Sequence, residues 1–173
     1  TSSLTLDSVA GSVSYNSGAY TATFTPSANL SYNTTYTATL STAITDAAGN
    51  PLASPYSWSF TTTVSPDTTP PTVSSTSPTD GATGVAVSTT VSVTFSEAMN
   101  SSTITTSSFT LDSVAGSVSY NSGTYTATFT PSANLSYSTT YTATLSTAIT
   151  DVAGNPLASP YSWSFTTQSE VTP

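Results

Sequence analysis

Thr124-Tyr-Thr-Ala-Thr-Phe-Thr130 puts a hydroxyl at every second position and an apolar or aromatic side chain between. A period of two is the pattern of a β-strand with one face turned inward. The pattern recurs outward from there. Tyr141, Ala143 and Leu145 alternate with threonines, and Tyr161, Trp163 and Phe165 alternate with serines. Upstream, Val91, Val93 and Phe95 share one phase while Ser92 and Thr94 take the other. Further strands are predicted near Thr72–Ser77, around Phe109 and Leu111, and around Val118 and Tyr120. The Asn121-Ser122-Gly123 step suits a hairpin turn, because Asn and Gly tolerate positive φ. No stretch has helical periodicity of useful length. The expected class is all-β, with aromatics inward and hydroxyls outward.

A repeat sets the domain organisation. Residues 1–62 and 106–167 align without a gap and differ only at Leu4/Phe109, Ala19/Thr124, Asn33/Ser138 and Ala47/Val152. An offset near one hundred residues is the size of a whole domain, too long for a solenoid turn. The expected organisation is a partial repeat over 1–62, a proline-rich linker over 63–71, a complete repeat over 72–167, and the start of another linker over 168–173. The first copy has no counterpart of the first two strands. Two explanations stand: the chain is a window on a longer array, or a neighbouring chain supplies the missing strands.

Composition removes several function classes. The 173 residues include no Lys, Arg, His or Cys, and the formal charge is −8. No side chain can neutralise a phosphate backbone, so nucleic acid is not an expected partner. An anionic lipid surface would repel the chain, and no apolar run reaches the length of a membrane span. Disulfides and ion pairs between side chains cannot form. Nucleophilic catalysis lacks a His or Lys base, and the few carboxylates fall in turns, so no catalytic residue is expected.

Leu135-Ser-Tyr-Ser-Thr-Thr-Tyr141 resembles the tyrosine corner of immunoglobulin and fibronectin type III sandwiches; Leu30 to Tyr36 repeats it. Tyr36 and Tyr141 are therefore expected to tie down the loop before their strand. Further motifs are Asp67-Thr-Thr-Pro-Pro-Thr-Val73, Ser77-Pro-Thr-Asp-Gly-Ala-Thr-Gly-Val85, Val93-Thr-Phe-Ser-Glu-Ala-Met99, Asp151-Val-Ala-Gly-Asn155 and Trp163-Ser-Phe-Thr-Thr167. Together they resemble the bacterial Ig-like domains of S-layer and surface-adhesin proteins. The resemblance implies tandem immunoglobulin-like Greek-key sandwiches, about seven strands each, in secreted or cell-surface proteins without catalysis. The function expected from it is a structural module of an extracellular fibre, filament, adhesin stalk or S-layer-like assembly. The alternative is a carbohydrate- or host-surface-binding adhesin module, which would show loops that differ between copies. The partners expected are neighbouring repeats or copies of the chain itself, by strand complementation among other routes, and a surface glycan.

No cofactor is required by this reading, but the oxygen-only ligand set suits calcium. Strand parity brings Glu97 and Asp151 to the end of the repeat where Asp67 enters. Asp67, Glu97 and Asp151, joined by Asn155 and by Asp7 of the preceding copy, are the candidate ligands of an interdomain calcium. The plainer reading of Asp151–Asn155 is a turn with Gly154 at positive φ. Asn29, Asn33, Asn100 and Asn134 each open an Asn-x-Ser/Thr glycosylation pattern, which a Ser/Thr-rich chain also produces by chance.

Overall fold

The computed structural model describes residues 3–170. Residues 171–173, the end of the second expected linker, lie outside that range, as do residues 1 and 2. The chain divides into two compact units, Thr1–Pro66 and Asp67–Pro173.

The second unit is a two-sheet sandwich. One sheet has the order β10 (Gly116–Asn121), β11 (Thr126–Pro131), β8 (Val91–Phe95), β6 (Val73–Ser77). The other has the order β7 (Ala82–Val85), β13 (Tyr161–Thr167), β12 (Thr140–Leu145), β9 (Phe109–Leu111). This is the division of strands of the immunoglobulin fold. Every pairing is antiparallel except that of β7 with β13. The alternation seen in the sequence is what fills the space between the sheets. Val91, Val93, Phe95, Phe109, Leu111, Phe129, Leu145, Trp163 and Phe165 form a single buried cluster. Phe109 meets Phe129 and Trp163 at ring-centroid distances of 5.9 Å, within the range of favourable tilted pairs. The outward threonines pair across strands, as Thr140 does with Thr166 at 2.9 Å.

The tyrosine hydroxyls fasten the loops. The Tyr141 Oη accepts the Ser136 N–H at 2.9 Å, and Tyr36 accepts the Ser31 N–H at 3.0 Å. Tyr120 does similar work unforeseen by the sequence: its Oη accepts the Met99 N–H at 2.8 Å.

Three local expectations need correction. Residues 82–85 form a strand that was not among those predicted; Gly81 before it and Gly84 within it stand at φ 75° and 66°. The left-handed residue of the β10–β11 hairpin is Tyr125, at φ 52°, and not Asn121 or Gly123. Asn121 contributes through its side chain, which accepts the Gly123 N–H at 2.9 Å. Tyr125 consequently leaves the inward phase of its strand and is 39% exposed. The second unit also begins inside the expected linker: Pro71 is fully buried.

The first unit contains β1 (Leu4–Leu6), β4 (Thr35–Leu40) and β5 (Tyr56–Thr61) in one sheet and β2 (Gly11–Asn16) paired with β3 (Thr21–Pro26) in another. Registers repeat those of the second unit: Tyr36 opposes Phe60 as Tyr141 opposes Phe165. Its buried cluster is small, Leu6, Tyr36 and Ala38, with Val9, Phe24 and Leu30 packed against it.

Candidate functional site

Three carboxylates of the second unit converge. Asp67 stands at the unit's first residue, Glu97 two residues past the end of β8, and Asp151 in the β12–β13 connection. An isolated antiparallel bridge between Met99 and Asp151 draws the segment after β8 to that connection. One oxygen from each of the three carboxylates lies within 4.8 Å of the other two.

Asp151 is the most constrained. It is fully buried, and its carboxylate accepts the Asn155 N–H at 2.8 Å and the Asn155 side-chain amide at 2.7 Å. Burial opposes ionisation, but the bonds from Asn155 and from the N–H groups of Gly154 and Ala153 outweigh it, so the pKa is lowered. The Asn155 amide also donates to the Asp67 carbonyl at 3.2 Å, which ties the entering segment to the loop. The Asp67 carboxylate accepts the Thr69 N–H at 2.9 Å.

Glu97 is half-buried and behaves in the opposite way. Desolvation, then the charges of Asp67 and Asp151, then a hydrogen bond shared with Asp67, all raise its pKa. At neutral pH the cluster holds excess negative charge, and a chain without Lys, Arg or His has no side chain to balance it. The donor set is hard oxygen, the set that suits calcium, with further oxygens needed from backbone or water to reach six to eight ligands.

The remaining predicted residues fall elsewhere. Asp7 belongs to the first unit, at φ 41°, and its carboxylate accepts the Thr37 N–H at 2.7 Å. Asp112, its counterpart, does the same for Thr142 at 2.8 Å. In the first unit, Asp46 repeats the Asp151 loop: it accepts from the Asn50 side chain and N–H and from Ala48. Its pKa is lowered, chiefly by the Asn50 amide. Asn29, Asn33 and Asn134 are exposed. Asn100 is exposed too, but its side-chain oxygen caps the short 3₁₀ turn Ser101–Thr103, accepting from the N–H and hydroxyl of Ser102. No helix among the described residues is long and apolar enough to cross a membrane.

Comparison with known proteins gives the following. No curated protein matches the chain. Among solved structures, the N-terminal part of the bacterial S-layer protein SbsC is similar at 27% identity and a TM-score of 0.44, covering 58% of this chain and 24% of that one. CopC from Methylosinus trichosporium OB3b is similar at 12% identity and a TM-score of 0.47, covering 60% of this chain and 98% of that one. PcoC, a methionine-rich copper resistance protein from Escherichia coli, is similar at 18% identity and a TM-score of 0.44, covering 57% and 98%. This chain thus spans about a quarter of the SbsC fragment. The sequence model of the bacterial Ig-like domain matches residues 1–62 and again residues 67–167, so the chain belongs to the family of bacterial Ig-like domains.

Proposed function

We propose that the chain is a structural part of a tandem Ig-like array at the bacterial cell surface, in a filament, stalk or S-layer-like assembly. Its work is mechanical: each sandwich adds length, and the proline-rich entry limits bending. The observation that carries this reading is the gapless recurrence of 62 residues with four differences. Copies that stay alike are being used for repetition, whereas a set of distinct binding sites would show loops that had diverged.

Calcium at Asp67, Glu97 and Asp151 belongs to the same reading. Bound there, the ion would offset carboxylate repulsion and brace the segment entering at Asp67 against the β12–β13 connection. The convergence of three carboxylates in a chain without side-chain cations supports this.

Two experiments test the two parts separately. Antibody raised against the 173-residue chain, applied with a gold label to intact cells that make the protein, is expected to decorate surface filaments or a lattice. Label found only after the cells are permeabilised would overturn the array. Calorimetry in calcium and in chelator tests the ion. A melting temperature that rises with calcium concentration, and no longer does so in Asp67→Asn/Glu97→Gln, is the expected outcome. An unchanged temperature removes calcium and leaves the array untouched.

A further inference from the structure

The two units lay the same residues on the same strands and bury them differently. Trp163 is 2% exposed and its counterpart Trp58 is 44% exposed; Phe165 and Phe60 stand at 1% and 41%. Val118 and Tyr120 pack against the core of the second unit, whereas Val13 and Tyr15 are exposed. The difference has a visible cause. In the second unit, β8 lies against β11 with Val93 opposite Ala127 and Val91 opposite Phe129, and β7 runs parallel to β13 with Ala82 opposite Phe165. In the first unit, among the described residues, β3 pairs only with β2, and β5 only with β4. An apolar groove lined by Leu4, Leu6, Phe24, Ala38, Trp58 and Phe60 is left open between them.

We propose that this face of residues 1–66 is a docking site for a polypeptide segment built like residues 71–105, additional to the one this chain uses on itself. The second unit shows how such a segment sits. A Val-x-Val-x-Phe strand enters antiparallel to β3, with its valines opposite Ala22 and Phe24. A second short strand runs parallel to β5 beside Phe60. The backbone contacts are specified as well. Ser164 accepts from the Gly81 N–H and donates to the Asp80 carboxylate, Leu135 donates to the Val87 carbonyl, and Tyr125 accepts from the Phe95 N–H. The corresponding residues are Ser59, Leu30 and Tyr20.

The likeness of the two acceptor faces points to the occupant. Of the four differences between the copies, Leu4/Phe109 alone lies in the interior, an exchange of one large apolar side chain for another, so the acceptor surface is kept.

The chain's two tryptophans, one per unit, make the test direct. Acrylamide quenching of the full chain is expected to resolve one accessible and one protected tryptophan. A synthetic peptide of residues 71–105 is added in trans. In parallel, the same segment is fused directly ahead of Thr1, which reproduces the spacing of Thr105 to Thr106 and keeps the test valid should the free peptide bind weakly. The accessible component should vanish in the fused chain, leaving both tryptophans with the slope of Trp163. It should persist when the added segment carries Val91→Asp, Val93→Asp and Phe95→Asp. Trp58 remaining accessible in the fused chain would overturn the proposal. So would equal protection by the charged segment, or protection in the unfused chain through self-association seen by sedimentation. None of these results bears on the surface-array reading, which rests on the repeat itself.

Discussion

Phe60 and Phe165 occupy the same place in the same local sequence, Tyr-Ser-Trp-Ser-Phe-Thr, so truncating each to alanine isolates the effect of surroundings. Phe165 is 1% exposed and stacks on Tyr141 at 6.1 Å. Its removal leaves a cavity that rigid sheets cannot close, and such Phe→Ala changes cost about 3–5 kcal/mol. For a unit of this size each kcal/mol shifts the melting temperature by roughly 4–8 °C, so Phe165→Ala should lower it by about 12–40 °C. Phe60 is 41% exposed, so only about three-fifths of the transfer energy of a phenyl ring is at stake, and water fills the gap. With full burial of such a side chain worth about 1.5–3 kcal/mol, Phe60→Ala should cost about 1–2 kcal/mol. Calorimetry of the whole chain reads both, with Trp163 fluorescence in a Trp58→Phe background assigning the second unit's transition. Equal losses from the two substitutions would refute the reasoning, as would a loss below about 1 kcal/mol at Phe165, because burial could not then be what distinguishes the copies.

Glu97→Gln in chelator should raise stability at neutral pH, because an acid whose pKa is raised on folding penalises the native state once it is ionised. That advantage should shrink as pH falls through Glu97's raised folded pKa and vanish below its ordinary value of 4.5, which a series of melting curves would follow. Asp151→Asn has the opposite sign, since its folded pKa is lowered: the variant should be less stable at neutral pH, with the gap closing as pH falls through Asp151's folded pKa. Tyr141→Phe removes only the bond to the Ser136 N–H and should cost about 0.5–1.5 kcal/mol in urea unfolding. Gly116→Ala would place a Cβ 2.5 Å from the Thr130 carbonyl and 2.6 Å from the Phe129 ring. The backbone oxygen cannot move aside cheaply, so a loss of about 1–3 kcal/mol is expected by the same assay.

The sandwich was readable because a period of two is a local property, and β8, β11, β12 and β13 each state it with aromatic or branched residues. β7 was not readable. Its four residues follow one left-handed glycine and contain another, and its partner β13 is reached only by a parallel pairing whose register shifts between Phe165 and Thr167. A strand held by a distant partner leaves no periodicity of its own. Tyr125 was misplaced for a related reason: its spacing from Ala127 continues the inward phase, but the hairpin turns its backbone to φ 52°. Of the acidic cluster, strand parity alone brought Asp67, Glu97 and Asp151 to one end, and these are the three the fold draws together. The bracing of Asp151 by Asn155 and the Oη contact of Tyr120 with Met99 depend on side-chain geometry across loops, which spacing does not encode.

The claim on which the account turns is that one sequence, repeated, closes its interior in the second unit and leaves it open in the first. Amide hydrogen exchange by NMR on the intact chain tests it most directly. The Phe95 N–H bond to the Tyr125 carbonyl sets the alternation by which Ala127 and Phe129 bond to β8. Those two amides should exchange only on global opening of their unit, while Ala22 and Phe24, in the same hexapeptide, should exchange near the rate of unpaired amides. Equal protection at the two pairs would contradict the account.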